Sequence, residues 1–143
     1  VVLKTTSATT NGKQKQINKL KTKVMKALLI DSKNKVVKQI EIGEHFTEIS
    51  KAIDCETFSA PHILENEDTL YCDDEGLLKG PQHFFLLDTY PQPIAGNGLI
   101  LGCDDEGDSI DVKTTLDELI SRITFMNIDD AYNWSFNQSY QFN

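Results

Sequence analysis

Met25-Lys26-Ala27-Leu28-Leu29-Ile30-Asp31-Ser32-Lys33-Asn34-Lys35-Val36-Val37-Lys38-Gln39-Ile40-Glu41-Ile42 reads as two strands joined by a tight turn. The first part is an apolar run that stops at Asp31. Ser32 to Lys35 supply turn residues, and the second part is rich in β-branched residues with partial alternation. A hairpin at this point makes antiparallel pairing the expectation for the domain it opens.

After Gly43, the residues Phe46, Ile49, Ala52 and Ile53 fall at helical spacing, which predicts a short amphipathic helix from about Glu44 to Ile53. Cys55 to Phe58 is a candidate strand. Pro61 and the run Glu65-Asn66-Glu67-Asp68 mark a loop. Thr69 to Cys72 forms a short strand that Leu77-Leu78 can resume before Gly80-Pro81. Gln82 to Leu87 is the most apolar strand, and with both faces hydrophobic it should be central. Leu99 to Leu101 is a further buried strand. A helix is expected from Thr115 to Phe125, with Leu116, Leu119, Ile120 and Ile123 on one face. Thr114 with Asp117, or Thr115 with Glu118, offers a capping box at its start.

The order β-β-α-β-β-β-β-α predicts a single α+β domain over residues 25–126, a mostly antiparallel sheet with two helices on one face. Residues 127–143 form an aromatic C-terminal extension, carrying Tyr132, Trp134 and Phe136 in a polar context. Docking on the domain is expected, since exposed aromatics are costly, with a partner contact as the alternative.

Residues 1–24 read as a basic polar tail, with six lysines and no acid. Met25 is a natural domain start and a natural translation start; the leading Val1 fits a processed chain or a non-standard start. The lysines are not followed by an apolar stretch, so no secretory signal is expected. No apolar run approaches the roughly 20 residues of a membrane span. A cytoplasmic location in a host cell is expected, or a virion if the protein is structural.

The net charge of −8 hides a division: beyond the tail there are 22 acidic side chains against eight basic ones, a charge of −14. Such a body repels nucleic-acid phosphates. It suits a basic protein surface, or simple solubility. Three cysteines, Cys55, Cys72 and Cys103, make no disulfide framework and are expected to be reduced. The histidines His45, His62 and His83 are scattered, and no zinc-ligand spacing is present.

The pentapeptide Cys-Asp-Asp-Glu-Gly occurs at Cys72 to Gly76 and again at Cys103 to Gly107. If the two corners converged, Asp73, Asp74, Glu75, Asp104, Asp105 and Glu106 would gather six carboxylates. That could suit a hard cation or paired acid–base chemistry. The alternating spacing of a calcium loop is missing, however, and consecutive acids point in different directions. The plainer reading is two turns in which Asp caps and Gly takes a positive φ. Neighbouring aspartates raise a thiol's pKa, so Cys72 and Cys103 are poor nucleophiles and are read as small strand residues facing the core. A Cys72–Cys103 disulfide would need the corners to be neighbours. No catalytic residue, metal ligand or cofactor is assigned.

Tyr90-Pro91-Gln92-Pro93-Ile94-Ala95-Gly96-Asn97-Gly98 is the most unusual local composition. It is not a phosphate-binding loop. It reads as a connection between core strands, or as the lip of a ligand or partner site carrying Tyr90, Gln92 and Asn97.

The stretch from Leu70 through Cys72-Asp73-Asp74-Glu75-Gly76-Leu77 to Leu99-Ile100-Leu101-Gly102 resembles a family of small uncharacterised phage and plasmid proteins grouped as a domain of unknown function. Its members combine a DEEG-L turn, a hydrophobic strand, a YPQP-AG-G loop and a GLVLG-D-EG segment. The resemblance covers roughly residues 26–125. It implies an accessory protein of a mobile element and brings no catalytic residues. The leading expectation is a non-enzymatic accessory protein whose acidic surface engages a basic host or viral protein. Asp73, Asp74, Glu75, Asp104, Asp105, Glu106, Tyr90, Gln92 and Asn97 are its candidate contacts. The alternatives are a nucleotide-like ligand bound by the Tyr90–Gly98 loop, a metal-dependent hydrolase, and a virion component.

Overall fold

The computed structural model describes residues 23–141. Val24–Asp31 (β1) and Val36–Gly43 (β2) form the expected hairpin, paired from Val24 opposite Gly43 to Asp31 opposite Val36. Asp31 closes its turn by accepting from the Asn34 backbone N–H at 3.1 Å and from the Asn34 amide at 2.8 Å. Partial burial works to raise the Asp31 pKa, but the Asn34 bonds and Lys38 outweigh it and hold the carboxyl below its usual value.

The chain continues through α1 (Phe46–Ile53), β3 (Phe58–Ile63), β4 (Thr69–Asp73), a 3₁₀ turn (Gly76–Lys79) and β5 (His83–Leu87). Then come β6 (Ile94–Ala95), β7 (Gly98–Cys103), β8 (Ser109–Ile110), α2 (Leu116–Arg122), β9 (Ile123–Asn127) and α3 (Ile128–Gln141). The large sheet runs β2-β1-β7-β4-β3, with β8 added to β7; the small sheet runs β6-β5-β9. All pairings are antiparallel.

Alternation along the strands makes two cores. Leu28, Ile30, Leu70, Cys72 and Ile100 point to one face, where they meet Phe85, Leu87 and Ile94 of the small sheet and Leu119 of α2. Met25, Ala27, Leu29, Leu99 and Leu101 point to the other face, which Ile49 and Ile53 of α1 cover. The outer side of the small sheet, Phe84 with Ala95, receives Ala131 of α3. Each fully buried Leu, Ile or Phe contributes about 1.5–3 kcal/mol.

The α+β class, the antiparallel pairing and the single domain agree with the sequence reading. The layering goes beyond it. There is a second sheet, and α1 and α2 lie against opposite faces of the large one. Phe85 and its neighbours are central, as expected, but in the small sheet.

Several local readings change. Pro61, read as a loop marker, lies inside β3. That strand is an edge strand whose register shifts between Ser59 and His62, so a missing N–H costs no ladder bond. Leu77-Leu78 form the 3₁₀ turn and are exposed, not a resumed strand. The α2 helix ends at Arg122, and β9 begins at once, because Ile123 and Thr124 are β-branched and pair with Leu87 and Leu86. The capping box is the Thr115–Glu118 one, with both reciprocal bonds present.

The aromatic extension is the helix α3. Ala131 is buried, while Tyr132 and Phe136 are exposed. Residues 1–22 of the expected tail lie outside the described residues. Among the described residues, no helix is long and apolar enough to cross a membrane.

Candidate functional site

The two acidic corners share one local device. Asp73 Oδ1 accepts the Glu75 backbone N–H at 2.9 Å, and Asp104 Oδ1 accepts the Glu106 N–H at 2.9 Å. In each case the first aspartate of the pair caps the turn. The glycines then differ. Gly107 takes the expected positive φ of 89°, whereas Gly76 does not. Gly76 is buried, and a Cβ there would lie 3.1 Å from the Ala95 carbonyl oxygen. Its role is close approach to β6, which brings the corner against the Tyr90–Gly98 loop.

The corners do not converge. β4 and β7 are antiparallel neighbours with Cys72 opposite Gly98, and Cys103 lies five residues further along β7. At about 3.4 Å per residue that is roughly 17 Å of strand. Asp73, Asp74 and Glu75 therefore stand at one end of the sheet, and Asp104, Asp105 and Glu106 at the other. The same separation rules out a Cys72–Cys103 disulfide, and all three cysteines are free.

The first corner and the loop enclose a groove of about 350 Å³. Its acidic side is Asp73, Asp74 and Glu75; its other side is Tyr90, Gln92 and Pro93, with Leu77 and Leu78 on the rim. Leu78 is 82% exposed and Leu77 67%, so an apolar step borders the carboxylates. Asp73 is committed to structure, with Lys79 Nζ 2.7 Å from its Oδ2. This bond is the main reason the Lys79 pKa is raised. Asp74 and Glu75 are exposed, and no salt bridge is formed with either carboxylate among the described residues. Cys72 lines the groove, but burial pushes its thiol pKa up, and Asp73 and Asp74 add to this against an opposing bond from Ser59. Burial also pushes Cys55 up, to about 11. Neither thiol is an activated nucleophile.

A second groove of about 400 Å³ lies on the other side of Asp73 and Gly76, between the β1–β2 turn and Asn97. Asn97 is engaged there: its Oδ1 accepts the Ser32 N–H at 3.0 Å, while the Ser32 hydroxyl donates to the Gly96 carbonyl. Of the nine candidate contacts, five thus share the first groove and Asn97 faces the second.

At the far corner, ligand oxygens of Asp104, Glu106 and Asp108 lie within 4.8 Å of one another. Asp104 Oδ1 already accepts two backbone N–H groups, from Glu106 and Asp108, each at 2.9 Å. This cluster is a turn whose acids face solvent.

Two features went unread in the sequence. Asp68, inside the acidic loop run, is completely buried. Its carboxylate accepts from the Lys113 and Thr114 backbone N–H groups at 3.1 and 2.7 Å, and from the Thr114 hydroxyl at 2.6 Å. It thereby ties the β3–β4 loop to the start of α2. Arg122 pairs with Asp88 at 2.8 Å and Glu65 at 3.0 Å, beside Thr89 and Tyr90. A run of four polar residues marks a loop in sequence but does not say which carboxylate turns inward.

A family profile described as Domain of unknown function (DUF3846) matches residues 25–124. The chain belongs to this family. No curated protein and no solved structure matches it. The DUF3846 match runs from the second residue of β1 into β9, so it contains both acidic corners and both grooves and stops short of α3. The family description carries no activity, and the function of this DUF3846 domain has to be argued from its grooves.

Proposed function

We propose that the protein is a non-enzymatic accessory protein that grips a basic segment of a protein partner in the groove between the first acidic corner and the Tyr90 loop. The observation that carries this reading is the composition of that groove. Two exposed, unbridged carboxylates, Asp74 and Glu75, stand beside an exposed Leu77-Leu78 step and face Tyr90, Gln92 and Pro93. Acid next to apolar surface complements a lysine- or arginine-bearing segment with an apolar anchor. The cavity volume suits a few side chains of such a segment. Among the described residues lining it, the one thiol is held protonated by burial, so nucleophilic chemistry has no support there.

Asp104, Asp105 and Glu106, at the other end of the sheet, take no part in this contact. The resemblance in the sequence supports placing the protein in a phage or plasmid, acting in the host cytoplasm.

Selection from a random-peptide display library tests the proposal. Enriched peptides should combine basic and apolar residues, and should lose binding at least tenfold to a D74K/E75K variant while binding a D105K/E106K variant unchanged. Equal loss in both variants, or enrichment without basic residues, would overturn it. The second groove favours a smaller ligand as the other reading. A thermal-shift gain with a nucleotide or other small polar molecule, abolished at Asn97, would support it.

A further inference from the structure

Thr89 stands between His62 and the single arginine of the chain. Arg122 Nη2 donates to Thr89 Oγ1 at 3.1 Å, and His62 Nε2 lies 3.1 Å from the same oxygen. A guanidinium can only donate. The hydroxyl oxygen therefore accepts from Arg122, which leaves its one proton for His62. Nε2 is then the acceptor nitrogen, and the ring carries its proton on Nδ1.

Both ends of this chain of bonds are anchored. Arg122 Nε donates to Asp88 at 2.8 Å, its Nη1 donates to Glu65 at 3.0 Å, and its carbonyl accepts the Asp88 N–H at 3.1 Å. At the other end, the His62 ring meets Tyr90 at a centroid distance of 5.4 Å and an interplanar angle of 64°. Tyr90 is a wall of the groove that faces the first acidic corner.

We propose that His62, Thr89 and Arg122 form a pH-sensitive latch that holds the Tyr90 wall in place. Protonation converts Nε2 from an acceptor into a donor. Thr89 Oγ1 then faces two donors, its own proton loses its acceptor, and a second cation stands one hydroxyl away from Arg122. The acidic groups facing the cluster are Glu65, from the β3–β4 loop, and Asp88, after β5. Arg122 already holds both, so neither can serve the new proton without releasing the arginine. Glu65 remains charged through this range: its own backbone N–H, and then Arg122, hold its pKa below the usual value. Protonating His62 therefore opens the latch and frees Tyr90 and the prolines that follow. The effect on affinity rests on the groove being the partner site proposed above; the latch itself does not.

Nitrogen-detected NMR of the histidine rings, with amide shifts of the loop, tests the latch without any ligand. At neutral pH the His62 signals should show the Nδ1–H tautomer. On titration through the histidine range, above that of ordinary carboxylates, the Gln92 and Ile94 amides should move with the same midpoint as His62. In T89V, His62 should still titrate while Gln92 and Ile94 no longer follow it. In H62Q, whose amide oxygen can accept the Thr89 proton at any pH, the loop amides should be insensitive over that range. A proton on Nε2 at neutral pH, or loop amides that stay still while His62 titrates, would overturn the proposal.

A peptide selected on the groove should bind the wild type several-fold more weakly in mild acid, and H62Q equally at both pH values. An intact latch in NMR with no peptide selected would refute the proposed partner site and leave the latch standing.

Discussion

Replacing Asp68 by asparagine keeps the side chain's size and removes its charge. In the native protein the carboxylate accepts from two backbone N–H groups and one hydroxyl, at 2.6 to 3.1 Å, in a site with no solvent exposure. Asparagine offers one acceptor oxygen, and its NH₂ would then face N–H donors. A buried donor left unsatisfied costs about 1–3 kcal/mol. With Lys113 and Thr114 both affected and some relaxation of the loop, the expected loss is about 3 kcal/mol for D68N, and similar for D68A.

That is a large share of the roughly 5–15 kcal/mol that stabilises a typical domain. It should lower the melting temperature by about 10 °C. Urea unfolding followed by circular dichroism measures it, with an unchanged slope expected. T114V removes the hydroxyl alone and should cost about 1 kcal/mol; it should cost less in the D68A background, where its partner is gone. D68N within about 0.5 kcal/mol of the wild type, well inside the range of neutral surface changes, would refute this account of the loop-to-helix tie.

Gly102 should tolerate no side chain. A Cβ there would lie 2.3 Å from the Asp111 carbonyl oxygen, which is backbone and cannot swing aside, so G102A should lose about 2–3 kcal/mol in the same unfolding assay. Thr115→Ala removes the helix cap of α2 and should cost about 1 kcal/mol near neutral pH. Bonds from Thr115, first its backbone and then its side chain, hold the Glu118 pKa below 4.5. A depressed carboxyl stabilises the fold above its unfolded pKa and ceases to as pH falls through the folded value. The gap between wild type and T115A should therefore narrow below pH 4.5 in urea melts run across pH.

The hairpin was legible because Met25 to Ile42 combines a strand pattern with turn residues, both local signals. The start of α2 was legible for the same reason, since a capping box is a four-residue signature. Local signals failed where a residue's role is set by a partner far along the chain. Ile123 and Phe125 fit the apolar face of a helix as well as alternate positions of a strand; pairing with β5, nearly forty residues earlier, decides for the strand. Pro61 argues against a strand unless that strand is an edge, and being an edge is a property of the whole sheet. At the site, the acids and the Tyr90 loop were readable as unusual compositions. Their grouping was not, because Gly76 meets Ala95 only once two sheets have stacked. Asp68 was hidden because burial of a carboxylate depends on donors forty-five residues away.

The strand order β2-β1-β7-β4-β3 carries a consequence for synthesis on the ribosome. The hairpin β1–β2 and the hairpin β3–β4 leave the exit tunnel first, and in the finished sheet they do not touch along β1 and β4. The strand that joins them, β7, comes later and is inserted between them. Leu28 and Ile30 on one hairpin and Leu70 on the other therefore have no shared core until Gly98 to Cys103 has emerged. Vectorial growth cannot fold this domain piece by piece. Nearly the whole family segment must be available before the large sheet closes, and nascent chains stopped short of β7 are the ones that present two unfinished strand edges to their neighbours.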